Sequence, residues 1–130
     1  MADPIVKPIF TEAAPQPIGP YSQAIRHGND IFCSGQVALD PRTGEMKNAS
    51  IEEETEQALA NLHAVLVAAG ASFDNVVKTT IFLTDLATFA TVNEIYGKYF
   101  SGAKPARSTI QVSALPKGAR FEIECIARTT

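Results

Sequence analysis

A chain of 130 residues with 45% hydrophobic residues is long enough to form one domain with one continuous core. Only 19% of the residues are charged and the net charge is -3, which disfavours a nucleic-acid partner. The first residues lack the basic start and long apolar stretch of a secretory signal, and no apolar run approaches bilayer-spanning length. We therefore expect a single domain over residues 1–130, without a membrane segment and located in the cytoplasm.

The first third of the chain carries strand and turn patterns. Residues 11–20 contain three prolines and a glycine, which favour an irregular loop. Residues 21–26 and 30–37 are strand-like, and His27-Gly28-Asn29 lies between them as a turn. This arrangement predicts a hairpin.

Two amphipathic helices follow. Ser50 and Glu53 match a capping box, so a helix is predicted to begin there, and Gly70 is placed to end it. A strand is predicted at 76–84, and residues 85–88 supply caps for the second helix. Two further strands are predicted at 107–113 and 121–128, after a break at 102–105. The predicted order is β-β-β-α-β-α-β-β, an α+β fold. The apolar stripes of the two helices are Ala58, Leu59, Leu62, Val65, Leu66 and Ala69, and Phe89, Val92, Ile95, Tyr96 and Tyr99.

Two helices can cover only one face of such a mixed sheet, so the other face must be polar or covered by a partner. In the strand at 76–84, Lys78, Thr80 and Phe82 are assigned to the outer face. That face is too apolar in places for full exposure, which predicts a homo-oligomer. The residues assigned to the core side of this strand are Val77, Thr79, Ile81 and Leu83.

The last two strands carry the clearest polar pattern. Alternate positions from Arg107 to Ser113 are polar, and so are Glu122, Glu124 and Arg128. Matching polar with polar places both sets on the helix-free face, with Arg107, Thr109, Gln111 and Ser113 in one set. The core side would then hold Ile110, Val112, Phe121, Ile123 and Cys125.

An arginine and a glutamate on one surface suit the hydrolysis of a C=N bond in an acid substrate. The guanidinium group binds a carboxylate through two parallel hydrogen bonds, and a glutamate can hold a water molecule and take its proton. The alternative is that Arg107 and the glutamates form cross-strand ion pairs on a solvated face. From residue types alone the ion pairs are favoured, and Tyr21 by itself is more typical of a packing residue.

Other kinds of site have less support in the sequence. His27 and His63 lack cysteine or carboxylate partners at metal-ligand spacing, so no metal site is expected. There is no glycine-rich nucleotide-binding loop, and Ser34-Gly35-Gln36 lacks the glycine spacing of a nucleophile elbow. No cofactor is therefore expected.

Six segments of the chain, in order, match one known family. The chain resembles the reactive intermediate deaminase (Rid, YjgF-like) family over nearly all of its 130 residues. The matching segments are Ile18-Gly19-Pro20-Tyr21-Ser22-Gln23-Ala24, Ser34-Gly35-Gln36, residues 77–85, Phe89-Ala90-Thr91-Val92-Asn93, Pro105-Ala106-Arg107-Ser108 and Glu122-Ile123-Glu124.

The resemblance implies a chorismate-mutase-like fold, a homotrimer with clefts between subunits, and hydrolysis of 2-iminopropanoate and 2-iminobutanoate to 2-oxo acids and ammonia without a cofactor. It implies that Arg107 binds the substrate carboxylate and that Glu122 activates or positions water. Tyr21, Ser34, Phe89 and Thr109 would line the cleft. Thr109 stands where many members have cysteine, and because the implied chemistry uses water, activity is expected to survive this difference.

Two other functions are considered for proteins of this type. A non-enzymatic module that binds small acids would need only Arg107, and a chaperone-like role belongs to the same non-enzymatic class. A ribonuclease or translation inhibitor normally has basic and aromatic surface, whereas this chain is acidic and has no tryptophan. The ribonuclease is therefore the least favoured of these functions.

Overall fold

The structure is a computed structural model that describes residues 6–102 and 104–130. Residues 1–5 and Ala103, which fall in the N-terminal segment and in the predicted break at 102–105, lie outside the described residues. The order β-β-β-α-β-α-β-β is confirmed, although the position of its first strand, at residues 6–9, was not predicted. Short helical turns at 73–75, 86–88 and 116–118 lie between the main elements. The strands are β1 (Val6–Ile9), β2 (Ala24–His27), β3 (Asp30–Gln36), β4 (Val76–Leu83), β5 (Ala106–Gln111) and β6 (Phe121–Arg128), and the helices are α1 (Ile51–Ala68) and α2 (Phe89–Tyr99).

The six strands form one mixed sheet in the order β1-β2-β3-β6-β4-β5. All neighbours are antiparallel except β4 and β5, which run parallel and are connected through α2. A parallel pair needs such a crossover, since a tight turn can join only antiparallel strands. This topology leaves β5 at one edge of the sheet, directly beside α2. The predicted hairpin is confirmed as the β2–β3 pair.

Helix α1 begins as the sequence predicts, with one difference at its cap. The Ser50 hydroxyl accepts a hydrogen bond from the backbone N–H of Glu53 at 3.0 Å. The Glu53 carboxylate accepts from the N–H of Ala49, also at 3.0 Å, instead of returning the bond to Ser50. The helix ends before Gly70, whose φ of +86° favours glycine.

The two helices cover one face of the sheet, which we call the helix face. The core lies between the helices and this face. Its largest buried side chains include Leu59, Leu62 and Leu66 of α1 and Ile81, Leu83, Phe121 and Ile123 of the sheet. Burial of each such side chain contributes about 1.5–3 kcal/mol. The opposite, open face is covered by neither α1 nor α2 and exposes Phe32, Ile110 and Ile126.

One core prediction in β4 is wrong because the strand contains an irregularity. The pairing of β4 with β6 changes register between Val76 and Lys78, so that Val76 is buried and Val77 is 50% exposed. Beyond this point the alternation is as predicted, with Thr79, Ile81 and Leu83 buried. A bulge shifts the facing of one residue without changing the composition of the strand.

No helix among residues 6–102 and 104–130 combines the length and apolar character needed to cross a membrane.

Candidate functional site

Arg107 lies on the helix face of the edge strand β5, held against α2. Its Nη1 donates a hydrogen bond of 2.7 Å to Oδ1 of Asn93. Its guanidinium carbon lies 5.2 Å from the ring centre of Phe89 and 4.9 Å from that of Tyr96. Both distances are within the range of attraction between a cation and an aromatic face. The guanidinium group is thus fixed in place while the residue stays exposed to solvent.

Tyr96 connects this cluster to the sheet. Its hydroxyl lies 2.7 Å from the hydroxyl of Thr79, and both residues are buried. Burial raises the pKa of the Tyr96 phenol, although the hydrogen bond with Thr79 and the positive charge of Arg107 oppose this rise. Tyr96 therefore stays neutral and gives Arg107 a rigid aromatic surface.

Thr109 and Phe89 border a shallow apolar hollow beside Arg107. Thr109 lies two residues after Arg107 in β5 and points to the same side of the sheet. Leu86, in the short turn before α2, completes the lining. Oε1 of Gln111 accepts a hydrogen bond from the N–H of Leu86 at 2.9 Å, which fixes this turn against the end of β5. The hollow can accommodate a small apolar group, and Phe89, which lines it, also contacts the guanidinium of Arg107.

Glu122 lies on the open face, at the wall of a second hollow that Tyr21, Gly35 and Gln36 also line. Its carboxylate is half-buried, and this burial raises its pKa; the negative charge of Glu124, two residues along the same strand, raises it further. A carboxyl group whose pKa is raised in this way is closer to the range useful for taking a proton near neutral pH.

Buried polar contacts fix the start of β6 and therefore Glu122. The Glu54 carboxylate, which is fully buried in α1, accepts hydrogen bonds from the N–H groups of Arg120 (2.6 Å) and Phe121 (3.2 Å). It also forms an ion pair of 2.8 Å with Nε of Arg120. These contacts join α1 to the start of β6, so the strand end is held against the helix.

The second hollow is closed on another side by the proline-rich loop, which Gln23 ties down. The Gln23 side chain is buried; its Oε1 accepts from Thr11 N–H at 2.7 Å, and its Nε2 donates to the carbonyl of Pro15 at 2.9 Å. Ser34, next to Gly35, donates its hydroxyl hydrogen to the carbonyl of Ser22 at 2.6 Å. Ser34 thereby fixes the chain beside Tyr21, and its hydroxyl is already used in this bond.

The six predicted site residues form two groups instead of one. Arg107, Phe89 and Thr109 meet at the helix face of β5, whereas Tyr21, Ser34 and Glu122 meet near the open face. The prediction that Arg107 and Glu122 share the helix-free face is wrong. Arg107 is in register with buried Thr79 in β4, and Glu122 is in register with Phe82, whose side chain points to the opposite side.

The same error affects the core prediction for β5. Ile110, in register with Phe82, lies on the open face and is 44% exposed, whereas Val112 is half-buried just beyond the end of β5. By contrast, the predicted placement of Phe121, Ile123 and Cys125 in the core is confirmed.

Several residues around Arg107 and Glu122 were given no role at the site from the sequence. Asn93 and Tyr96 follow Phe89 at helical spacings of four and seven residues, a pattern that indicates a shared helix face. Gly35 interrupts a strand pattern, which is typical of a bulge or a close approach. These signals were present, but they do not specify which side chain approaches.

Among the described residues, no group of three or more histidine, cysteine, aspartate or glutamate side chains is arranged to hold a metal ion. Cys33 and Cys125 are free thiols in register between β3 and β6, and both are buried.

Known proteins with similar sequences cover almost the whole chain. The family model described as "Endoribonuclease L-PSP" matches residues 11–129. The chain is 54% identical to a mouse protein named 2-iminobutanoate/2-iminopropanoate deaminase over 127 residues, which are 98% of this chain and 94% of that protein. It is 56% identical over 119 residues to Reactive Intermediate Deaminase A, chloroplastic, of Arabidopsis thaliana, but this match is 92% of the chain and spans only 64% of that longer protein.

A solved structure shows the same fold. The crystal structure of E. coli TdcF with bound serine superposes with a TM-score of 0.92 at 42% identity, over 95% of this chain and 99% of that one. The predicted chorismate-mutase-like α+β fold is thus confirmed. Given the extent of the family match and the identity to its relatives, the chain belongs to the reactive intermediate deaminase (Rid, YjgF-like) family.

Proposed function

We propose that this protein hydrolyses 2-imino acids such as 2-iminopropanoate and 2-iminobutanoate, and their enamine tautomers, to 2-oxo acids and ammonia. The observation that carries this proposal is the fixed guanidinium of Arg107, exposed beside a small apolar hollow. Such a group binds a carboxylate in a defined orientation, and the hollow suits a short side chain. The name of the mouse relative and the serine bound to TdcF both point to small amino-acid-like ligands.

In the proposed reaction, water adds to the carbon of the C=N bond while Glu122 takes one of its protons. That proton is delivered to nitrogen, which gives the neutral carbinolamine. Glu122 then takes the proton of the carbinolamine hydroxyl and passes it to nitrogen, so that the C=O bond forms, the C–N bond breaks, ammonia leaves and the 2-oxo acid remains. Atoms balance with one water consumed and no oxidant needed. General-base assistance of this kind typically contributes about 10²- to 10⁴-fold to the rate. The half-buried position of Glu122 favours this role.

We further propose that the complete site forms between subunits of a homotrimer. Arg107 and Glu122 belong to different faces of the sheet in one chain, so a second copy is the natural source of the missing half. The exposed side chains of Phe32, Ile110 and Ile126 give the open face an apolar surface for such a partner. The trimer, as opposed to another oligomer, follows from the family resemblance. The two free thiols favour a reducing compartment such as the cytoplasm.

The test is the release of ammonia and 2-oxo acid from iminopropanoate generated in the cuvette by an amino-acid oxidase. The wild type should accelerate release over spontaneous hydrolysis, and Arg107→Ala and Glu122→Gln should each lose most of the acceleration. Arg42→Ala and Glu45→Gln are matched controls, because both side chains lie on the exposed 42–45 turn. Both controls should keep wild-type rates.

The result also decides between an enzyme and a binding module. If the wild type gives no acceleration but binds 2-oxobutanoate in an Arg107-dependent way, the non-enzymatic module is favoured and the deaminase is rejected. The description of the family model names an endoribonuclease, but a net charge of -3 gives no support for RNA as a partner.

A further inference from the structure

A bulge in β3 lies directly opposite the strand that carries Glu122. Cys33 pairs with Cys125 and Gln36 pairs with Ile123, with a register shift between them. Ser34 and Gly35 are therefore placed opposite Glu124 alone. β3 therefore has one residue more than β6 at this point. An extra residue bends its strand and redirects nearby side chains, and bulges of this kind are frequent next to active sites.

The Glu122 side chain lies against the backbone of Gly35. A Cβ atom added at Gly35 would lie 2.8 Å from Cδ and 3.2 Å from Cγ of Glu122, and it would also overlap Oε2. Real Cβ contacts are almost never shorter than 3.0 Å. Glycine is therefore the residue that leaves room for the carboxylate in its present place.

The backbone conformation of Gly35 does not itself require glycine. The described glycines with positive φ are Gly28, Gly44, Gly70 and Gly118, and Gly35 is not one of them. Alanine can therefore adopt the same backbone conformation. The space that Glu122 occupies is what excludes a side chain at this position.

We infer that Gly35 is a positioning residue, whose missing side chain lets the Glu122 carboxylate lie against the bulge at the wall of the Tyr21 hollow. This inference rests on the proposed function, in which Glu122 must meet a water molecule beside the bound imine. A single methyl group at position 35 pushes the carboxylate away from the bulge. Because the displaced atoms are the end of a flexible side chain, the fold accommodates the change while the reactive geometry is lost.

The kinetic test compares Gly35→Ala in the wild type and in a Glu122→Asp background, using the intact oligomer. In the wild type, kcat should fall about 100-fold, the size expected for a displacement near 1 Å. KM should change less than twofold, because Arg107 binds the substrate carboxylate from another element. In the Glu122→Asp background the same substitution should cost less than tenfold, since the shorter side chain leaves room for the methyl group. Equal losses in both backgrounds would overturn the inference, because Gly35 would then act independently of Glu122.

A second readout does not depend on activity. Carbon NMR titration should show a pKa of the Glu122 carboxyl above its usual range in the wild type and closer to about 4.3 in Gly35→Ala, where the carboxylate moves toward solvent. An unchanged pKa of Glu122 in Gly35→Ala would contradict the inference, and so would unfolding of this variant in both backgrounds. If the wild type proves inactive, the proposed function fails, while this titration still decides the role of Gly35.

Discussion

Arg107 and Glu122 lie on opposite faces of one sheet, in strands that are both hydrogen-bonded to β4. Arg107 pairs with Thr79 beneath α2, and Glu122 pairs with Phe82 on the open face. Neighbours across a sheet point to the same side, and successive residues alternate, so no rotation of a side chain brings the two groups together through the sheet. If both groups act on one substrate, they must come from different chains.

This relationship predicts complementation between two inactive variants. Arg107→Ala and Glu122→Ala should each be inactive alone, but subunits mixed by unfolding and refolding should regain activity. Each interface in a ring draws one chain for the arginine and one for the glutamate, so about one quarter of the sites should be intact in an equal mixture. The measurement is 2-oxo acid release before and after refolding. A mixture that stays inactive, although its subunits have exchanged, would show that both groups act within one chain.

The raised pKa of Glu122 predicts the pH dependence of the reaction. A base must be deprotonated, so kcat/KM should decline on the acidic side with an apparent pKa above the ordinary glutamate value of about 4.3. Glu124→Gln removes the neighbouring negative charge that contributes to the rise, so its acidic limb should move to lower pH. A matched change at Glu45, in the exposed turn at 42–45, should leave the limb unchanged. A limb that does not respond to Glu124→Gln would mean that another group controls it.

The same pKa shift predicts that ionised Glu122 lowers the free energy of unfolding at neutral pH. Because the folded state holds the Glu122 proton more tightly than the unfolded state, stability falls as pH rises from the unfolded pKa to the folded pKa and then stays level. Glu122→Gln removes this penalty, so its Tm should exceed that of the wild type at pH 7, although the variant is expected to be inactive. Thermal melts at pH 4 and pH 7 check the sign, since the gain should shrink at pH 4. A Tm gain of Glu122→Gln that is larger at pH 4 than at pH 7 would contradict a raised pKa of Glu122 in the folded state.

Most of the fold could be predicted from the sequence because its elements carry strong local patterns. The stripe from Ala58 to Ala69 and the cap at Ser50 locate α1, and the alternation of Phe121, Ile123 and Cys125 locates the buried side of β6. These patterns arise because each element buries one face, and the spacing of the apolar residues along the sequence shows which face that is.

The faces to which the β5 side chains point could not be predicted, because in this strand polar and apolar residues do not correspond to exposed and buried positions. Polar Arg107 lies on the helix face, where the aromatic rings of α2 and the amide of Asn93 hold it, and apolar Ile110 lies on the open face. An edge strand beside the end of a helix stays partly exposed on both faces, so alternation alone does not assign them. Similarly, nothing in the residues around Val77 reveals the register shift there, and Gly35 indicates a bulge or a close approach without specifying which side chain lies against it.

Asn93 is expected to contribute to substrate binding through Arg107. In Asn93→Ala the guanidinium loses its only side-chain hydrogen bond among the described residues, although the stacking on Phe89 and Tyr96 remains. KM should rise about tenfold, which corresponds to about 1.4 kcal/mol, while kcat changes less. Steady-state kinetics with Asn48→Ala, an exposed position before α1, provide the control. A loss confined to kcat would assign Asn93 to the chemical step instead.

The open face should be the surface through which the chains associate. Ile110→Lys places a charge at the edge of this face beside Phe82, where an apolar contact with a second copy would have to bury it. Burial of an unpaired charge costs several kcal/mol, so the variant should dissociate and lose activity together with its oligomeric state. Val67→Lys is the matched control, because Val67 is 55% exposed on the outer side of α1 and its replacement should change neither property. Light scattering at micromolar concentration separates the outcomes. An Ile110→Lys protein that keeps its wild-type mass would place the interface elsewhere, and dissociation of Val67→Lys instead would place it at α1.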